Sequence, residues 1–150
     1  MIAVIQRTKR AKVTEGNKII SEIECGLLIL LGVTHSDIEE DINWLANKIV
    51  NLRVFDDENG TMNKSVLDIN GDIITVSQFT LFARTKKGNR PSYIDAAKPE
   101  FAKKLYEQFV EKLDNILNKK TFIGKFGANM QVDFCNDGPV TIIIDSKNKI

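Results

Sequence analysis

The chain has 150 residues, within the range of about 100–200 that one domain occupies, and its 43% apolar and 27% charged side chains supply a core rather than a disordered segment. Its 21 basic and 20 acidic residues leave a formal charge of +1, which excludes nucleic-acid binding by bulk electrostatics and confines any such contact to a local patch. No apolar run approaches the roughly 18 residues of a membrane span, and the start lacks the features of a signal peptide, so a cytoplasmic protein with no membrane partner is expected.

The first third alternates strand-like segments with turns: Ile2 to Thr8, Ala11 to Thr14, a Glu15-Gly16-Asn17 turn, and Lys18 to Glu24. The apolar run Leu27 to Leu31 predicts a strand covered on both faces. Ser36 and Glu39 have the spacing of a capping box, and Ile38, Ile42, Leu45, Ile49 and Leu52 recur at helical intervals, predicting a helix over about 37–52. Asp56-Asp57-Glu58-Asn59-Gly60 is a hairpin signal in which Asn-Gly supplies positive φ angles. Ile73 to Phe82 predicts a strand that delivers the polar loop Ala83 to Pro91. Pro99 suits the first position of a second helix over about 99–118, with Phe101, Leu105, Phe109, Leu113 and Ile116 or Leu117 on one stripe. Met130, Val132 and Phe134 alternate with polar residues as a strand with one buried face. Asn136-Asp137-Gly138-Pro139 then interrupts the pattern before a last strand, Val140 to Ile144, leaving Pro139 between two strands. No repeat or linker divides the chain. The expected architecture is one α/β domain over residues 1–150, a mixed β-sheet or open barrel with two principal helices.

Cys25 and Cys135 form no CxxC pair and have only His35 to join them, so neither a metal site nor a disulfide is expected, and both are read as small buried hydrophobes. There is no GxSxG elbow, Walker loop, HExxH or GxGxxG. His35, next to the helix cap, reads as an exposed loop residue rather than a catalytic one. Two polar interruptions at strand ends stand out instead, Ser77-Gln78-Phe79-Thr80 and Asn136 to Thr141. Hydroxyls are common in strands, and a hydroxyl nucleophile needs an adjacent base that neither segment offers. Backbone N–H groups at a strand end can still hold a developing oxyanion, typically worth several kcal/mol per donor. Gly138-Pro139 is ordinarily a turn. In cis it could aim two carbonyls at an ammonium group while the missing Cβ admits another chain. Arg84, Lys86, Lys87 and Arg90 place four cations within seven positions, a solvated loop or a phosphate contact. Lys9, Arg10 and Lys12 form a further basic edge, and Lys119, Lys120 and Lys125 read as surface residues.

Nearly end to end, the sequence resembles the bacterial and eukaryotic D-aminoacyl-tRNA deacylase family. The likeness is carried by Ala3 to Arg7, Gly26 to Val33, Asn51-Leu52-Arg53, Met62-Asn63, Ser77 to Leu81, Lys87 to Ser92, Phe126 to Met130 and Asn136 to Thr141. Thr8 and Phe82 stand where relatives often carry Val and Tyr. The resemblance implies hydrolysis of the ester joining a D-amino acid to the terminal adenosine of tRNA, with glycyl esters mischarged on tRNA-Ala also accepted. It implies a homodimer in which Gly138-Pro139, in cis, reaches into the partner's pocket and excludes L-side chains by main-chain atoms. Ser77, Gln78, Phe79 and Thr80 would line that pocket, Arg7 would steady the Gly-Pro loop, and Met130 would border the adenosine. Water assisted by the substrate's 2′-hydroxyl would attack, with no metal or cofactor and no DNA partner. An aminoacyl ester is already activated, so positioning and oxyanion stabilisation can suffice. The competing reading is a module that holds RNA ends on its basic loop without chemistry.

Overall fold

A computed structural model describes all 150 residues. In chain order it contains β1 (Ile2–Glu15), β2 (Lys18–Ile23), β3 (Gly26–Gly32), α1 (Glu39–Asn51), β4 (Phe55–Asp56), β5 (Met62–Lys64), β6 (Asp72–Ser77), a 3-10 turn (Phe79–Phe82), α2 (Pro99–Leu117), β7 (Phe122–Ile123) and β8 (Gln131–Asp145). The main sheet runs β2-β1-β3-β6-β7, with β8 on the other side of β1. Ser21 Oγ on β2 donates to the Ile123 carbonyl on β7 at 2.6 Å, so the two ends of that path meet and the sheet is nearly closed. This is the α/β architecture with two principal helices that the sequence predicts.

β3 explains why the chain curls. It pairs with β1 on one side and runs parallel to β6 on the other, and it is buried on both faces. Leu27, Ile29 and Leu31 join the larger core with Ile73, Leu45 and Ile49 of α1, and Phe109 and Leu113 of α2. Leu28 turns to the opposite side, where Ala11, Val13, Ile23, Ile74 and Val76 fill the inside of the curved sheet. The strand period of two thus feeds two cores from one sequence run.

Several expectations are corrected. The two predicted segments at the start are one strand, since β1 pairs with β3 through its first half, with β2 through its last third, and with β8 along its length. α1 begins at Glu39 with Ile38 as its cap, and the Asp41 carboxylate accepts from the Ile38 N–H at 2.9 Å. Ser36 plays no part in that cap. Only Gly60 of the Asn59-Gly60 pair has a positive φ, and the Asp57 carboxylate holds the turn by accepting from the N–H groups of Asn59 and Thr61. β6 ends at Ser77, and Phe79–Phe82 is helical rather than extended. On α2 the buried stripe is Ala102, Leu105, Tyr106, Phe109 and Leu113, with Phe101 exposed. Phe134 is also exposed, and so is Cys25, while Cys135 is half-buried, so neither thiol is a core residue.

The largest difference lies in β8, which runs unbroken through Pro139. Thr8 pairs with Asn136 and Gln6 with Thr141, so Asp137, Gly138, Pro139 and Val140 bulge out opposite Arg7 alone. The Asn136 side chain replaces the missing ladder: its Oδ1 accepts from the Val140 N–H at 3.0 Å, and its Nδ2 donates to Gln6 Oε1 at 2.6 Å and Thr141 Oγ1 at 3.0 Å. Proline's lack of a donor is harmless inside such a bulge.

Candidate active site

The end of β6 is built by its pairing with β3. Leu31 faces Ser77, and the Gln78 N–H donates to the Leu31 carbonyl at 2.8 Å, after which the chain turns into the 3-10 segment. Gly32 permits this close approach, since a Cβ there would stand 3.2 Å from the Gln78 carbonyl oxygen and 3.0 Å from the Phe82 ring. At the start of a helical turn the first N–H groups have no partner within the turn. Accordingly the Phe79 and Thr80 N–H groups donate to no acceptor in the protein. Gln78 Nε2 donates to Thr80 Oγ1 at 2.5 Å, which ties the two side chains together.

Ser77, Gln78 and Phe79 line a cavity of about 640 Å³, and Met130 lines it from the segment leading into β8. Eleven of the seventeen lining residues are hydrophobic, including Val33, Val76, Ala102 and Phe126. Lys98 is the only charged one, and no carboxylate or imidazole borders the space. His35 lies exposed outside it, with Nε2 3.3 Å from the Ile94 carbonyl. A depression of about 660 Å³ on the outer side of α1, lined by Glu40, Asn43, Asn47 and Lys48 among others, has only two hydrophobic residues and none of the strand-end groups.

Behind the cavity wall, Tyr106 of α2 donates its hydroxyl to the Thr75 carbonyl at 2.7 Å, and burial pushes that phenol well above the usual tyrosine range. It is a structural strut, protonated at any working pH.

Arg7, Gly138 and Pro139 form a second group that does not border this cavity within the same chain. Arg7 is buried and donates from Nε to the Asp137 carbonyl at 2.9 Å and from Nη1 to the Val54 carbonyl at 2.8 Å and Asp56 Oδ1 at 3.2 Å. The Gly138-Pro139 bond is cis, and both residues are exposed. Gly138 has φ +126°, and a Cβ there would lie 2.8 Å from Val140 Cγ2 and 3.1 Å from Arg7 Nη2. The bulge is therefore clamped from beneath while its tip faces outward.

In the basic loop, Arg84 is engaged by both oxygens of Asp95, with Nη2 2.6 Å from Oδ1. Lys86, Lys87 and Arg90 are exposed and form no ion pair. Lys119, Lys120 and Lys125 pair with Asp72, Asp114 and Glu15. The cavity also takes Tyr93 and the Ala96 to Pro99 segment, of which the sequence alone assigns only Pro99, as a helix start; a tyrosine just beyond the polar loop Ala83 to Pro91 is the available signal.

A sequence model of the family described as D-Tyr-tRNA(Tyr) deacylase matches residues 4–145. A D-aminoacyl-tRNA deacylase of Flavobacterium psychrophilum is 62% identical over 149 residues, 99% of each chain, and one of Thermosipho africanus is 58% identical over 147 residues, 98% of each. Among solved structures, one titled c-Myc DNA Unwinding Element Binding Protein superposes with TM-score 0.90 at 44% identity, covering 97% of this chain and 98% of its own. A probable eukaryotic D-amino acid tRNA deacylase shares the fold, with TM-score 0.83 at 14% identity over 95% of this chain and 97% of its own. The family model and these relatives define a class of hydrolase that acts on aminoacyl-tRNA esters. The chain belongs to the D-Tyr-tRNA(Tyr) deacylase family.

Proposed function

We propose that this protein hydrolyses the ester of D-aminoacyl-tRNA, and of glycyl esters mischarged on tRNA-Ala, to free amino acid and tRNA, and that it spares L-esters. The observation that carries the reading is the pair of unpartnered N–H groups at Phe79, which lines a cavity without carboxylate or imidazole, and at Thr80, the next residue of the same turn. Those donors suit a carbonyl oxygen that gains charge as the ester is attacked. Water, oriented by the substrate's 2′-hydroxyl, adds its oxygen to the carbonyl carbon. The bond to the ribose oxygen then breaks, and that oxygen leaves with a proton. Ser77 and Gln78 hold the polar end of the site, and Met130 borders the terminal adenosine.

Gly138 and Pro139 act on the cavity of a second copy in a homodimer, excluding L-side chains by clash with a fixed main-chain wall. Their exposure, and the clamp of Arg7 on Asp137, support that role. Lys86, Lys87 and Arg90 meet backbone phosphates of the acceptor end, with Arg84 bracing their loop through Asp95. The whole chain acts as one domain in the cytoplasm, where charged tRNA is found, and needs neither metal nor cofactor.

Incubation of the purified protein with D-tyrosyl-tRNA and L-tyrosyl-tRNA tests this directly. Release of D-tyrosine alone is expected. Binding of both esters without release would instead favour a module that holds RNA ends on its basic loop without chemistry.

A further inference from the structure

The segment from Ser92 to Lys98 is held more firmly than a surface loop requires. Arg84 and Ser92 exchange backbone hydrogen bonds at 2.8 and 3.0 Å, and the Arg84 guanidinium grips Asp95. Thr34 Oγ1 donates to the Asp95 carbonyl at 2.6 Å, and the Ala97 N–H donates to the Val33 carbonyl at 2.9 Å. This fixed frame nevertheless presents two side chains outward at the cavity wall. Tyr93 is 38% exposed, and its ring meets the 55% exposed ring of Phe79 edge to face, at 5.0 Å between centroids. Lys98 is exposed, lines the same cavity, and has no carboxylate partner. A partly exposed aromatic ring at a cavity wall offers a face on which a base can stack, and an ammonium without a counter-charge attracts an anion.

Resting on the deacylase reading above, we infer that Tyr93 and Lys98 form a subsite for the nucleotide that precedes the esterified one, the ring stacking on its base and the ammonium pairing with the linking phosphate. A cavity of about 640 Å³ is of the size that takes one small-molecule-sized group, here the aminoacyl nucleoside, so the next nucleotide falls at the rim. Stacking is tolerant of base identity and phosphate pairing carries no sequence information, so this subsite anchors any tRNA end equally. Its pinned frame means that little ordering entropy is lost on binding.

The test compares two substrates of the intact protein: the D-tyrosyl ester of adenosine and that of the dinucleotide cytidylyl-adenosine. The wild type is expected to show the lower KM for the dinucleotide. Tyr93→Ala raises that KM about tenfold, the scale of one lost base–aromatic stack, with kcat unchanged. Lys98→Ala raises it about threefold and flattens its salt dependence by about one phosphate contact. Because both residues also line the nucleoside cavity, each variant loses something on the nucleoside ester but several-fold less than on the dinucleotide ester, and Tyr93→Phe and Lys98→Arg retain the dinucleotide advantage. Lys98 is exposed and unpaired, so its variant tests the subsite even if Tyr93→Ala misfolds. Equal losses on both substrates, or an unchanged dinucleotide KM in the Lys98 variant, overturn the subsite. A wild type that cleaves neither ester overturns the deacylase reading and the subsite with it.

Discussion

The side-chain amide of Gln78 donates to Thr80 Oγ1, which holds the hydroxyl in place and draws electron density from it rather than activating it for attack. Nothing in the cavity wall offers a carboxylate or imidazole to take the Thr80 proton. The hydroxyl is therefore a positioned acceptor. Its backbone N–H, which survives any side-chain substitution, is the useful group.

Thr80→Ala is accordingly expected to keep substantial hydrolysis of D-tyrosyl-tRNA, with kcat/KM reduced less than about tenfold, the scale of one lost neutral hydrogen bond. Release of labelled D-tyrosine measures it. Complete loss of turnover in a folded variant that still binds substrate would restore the nucleophile.

How much of this was readable beforehand depends on where each element finds its partners. Leu27 to Leu31 announced a doubly covered strand because burial on both faces leaves an unbroken apolar run. Pro99, Leu105, Phe109 and Leu113 announced α2 because a helix carries its own hydrogen bonds. β8 was misread at Pro139 because the groups that rescue the bulge, Arg7 and Gln6, lie about 130 positions away. The start of α1 was misplaced for a similar reason. Asp37 is occupied by the buried amino group of Met1 at 2.5 Å, which no local pattern reveals. Ser77 to Thr80 and Met130 were legible as candidates, while Tyr93 and Lys98 enter the cavity only through long-range contacts with Thr34 and Val33.

Gly138→Ala is expected to disturb the tip of the bulge. The new Cβ would press on Val140 and the Arg7 guanidinium, at a φ of +126° that L-residues rarely adopt. Kinetics with D- and L-tyrosyl-tRNA should show reduced activity, weaker discrimination, or both. Identical kinetics with the two enantiomers before and after the change would remove Gly138 from the mechanism.

Arg7→Ala leaves the Val54 carbonyl buried without its donor, deprives Asp56 of its counter-charge and leaves Asp137 with Lys9 alone, at 3.4 Å. Because Asp56 is half exposed, the cost falls below that of a fully buried pair, roughly 2–4 kcal/mol, and Tm should drop by about 10 °C. Arg7→Lys recovers only part, since one ammonium cannot reach acceptors on both β4 and β8. A melt indistinguishable from wild type would show that the clamp contributes nothing.

Acid should weaken the junction of the chain ends. Burial works to raise the Asp41 carboxyl, but hydrogen bonds from Lys147, the Ile38 N–H and Ser146 outweigh it and hold the group below the usual carboxylate range. A depressed folded-state value means that this contribution is present above about pH 4 and is lost as pH falls through the lower folded value. Lys147 is shifted upward by the same pair, so its share persists until pH rises past the ordinary lysine range. Melting curves should therefore show Tm falling below about pH 4, and Asp41→Asn should flatten that fall. An unchanged acid profile in the variant would place the titrating groups elsewhere.

Thr75 gives the last prediction, in the opposite direction. Its carbonyl accepts from Tyr106 and from the Gly124 N–H at 3.0 Å, but its hydroxyl is the single buried side-chain polar atom without a partner. Valine has nearly the same shape and the same β-branched preference for a strand, and it removes the stranded group. Thr75→Val should stabilise the fold by about 1 kcal/mol and raise Tm by a few degrees. A lowered Tm would mean that the hydroxyl is satisfied in solution by a buried water, which valine would evict.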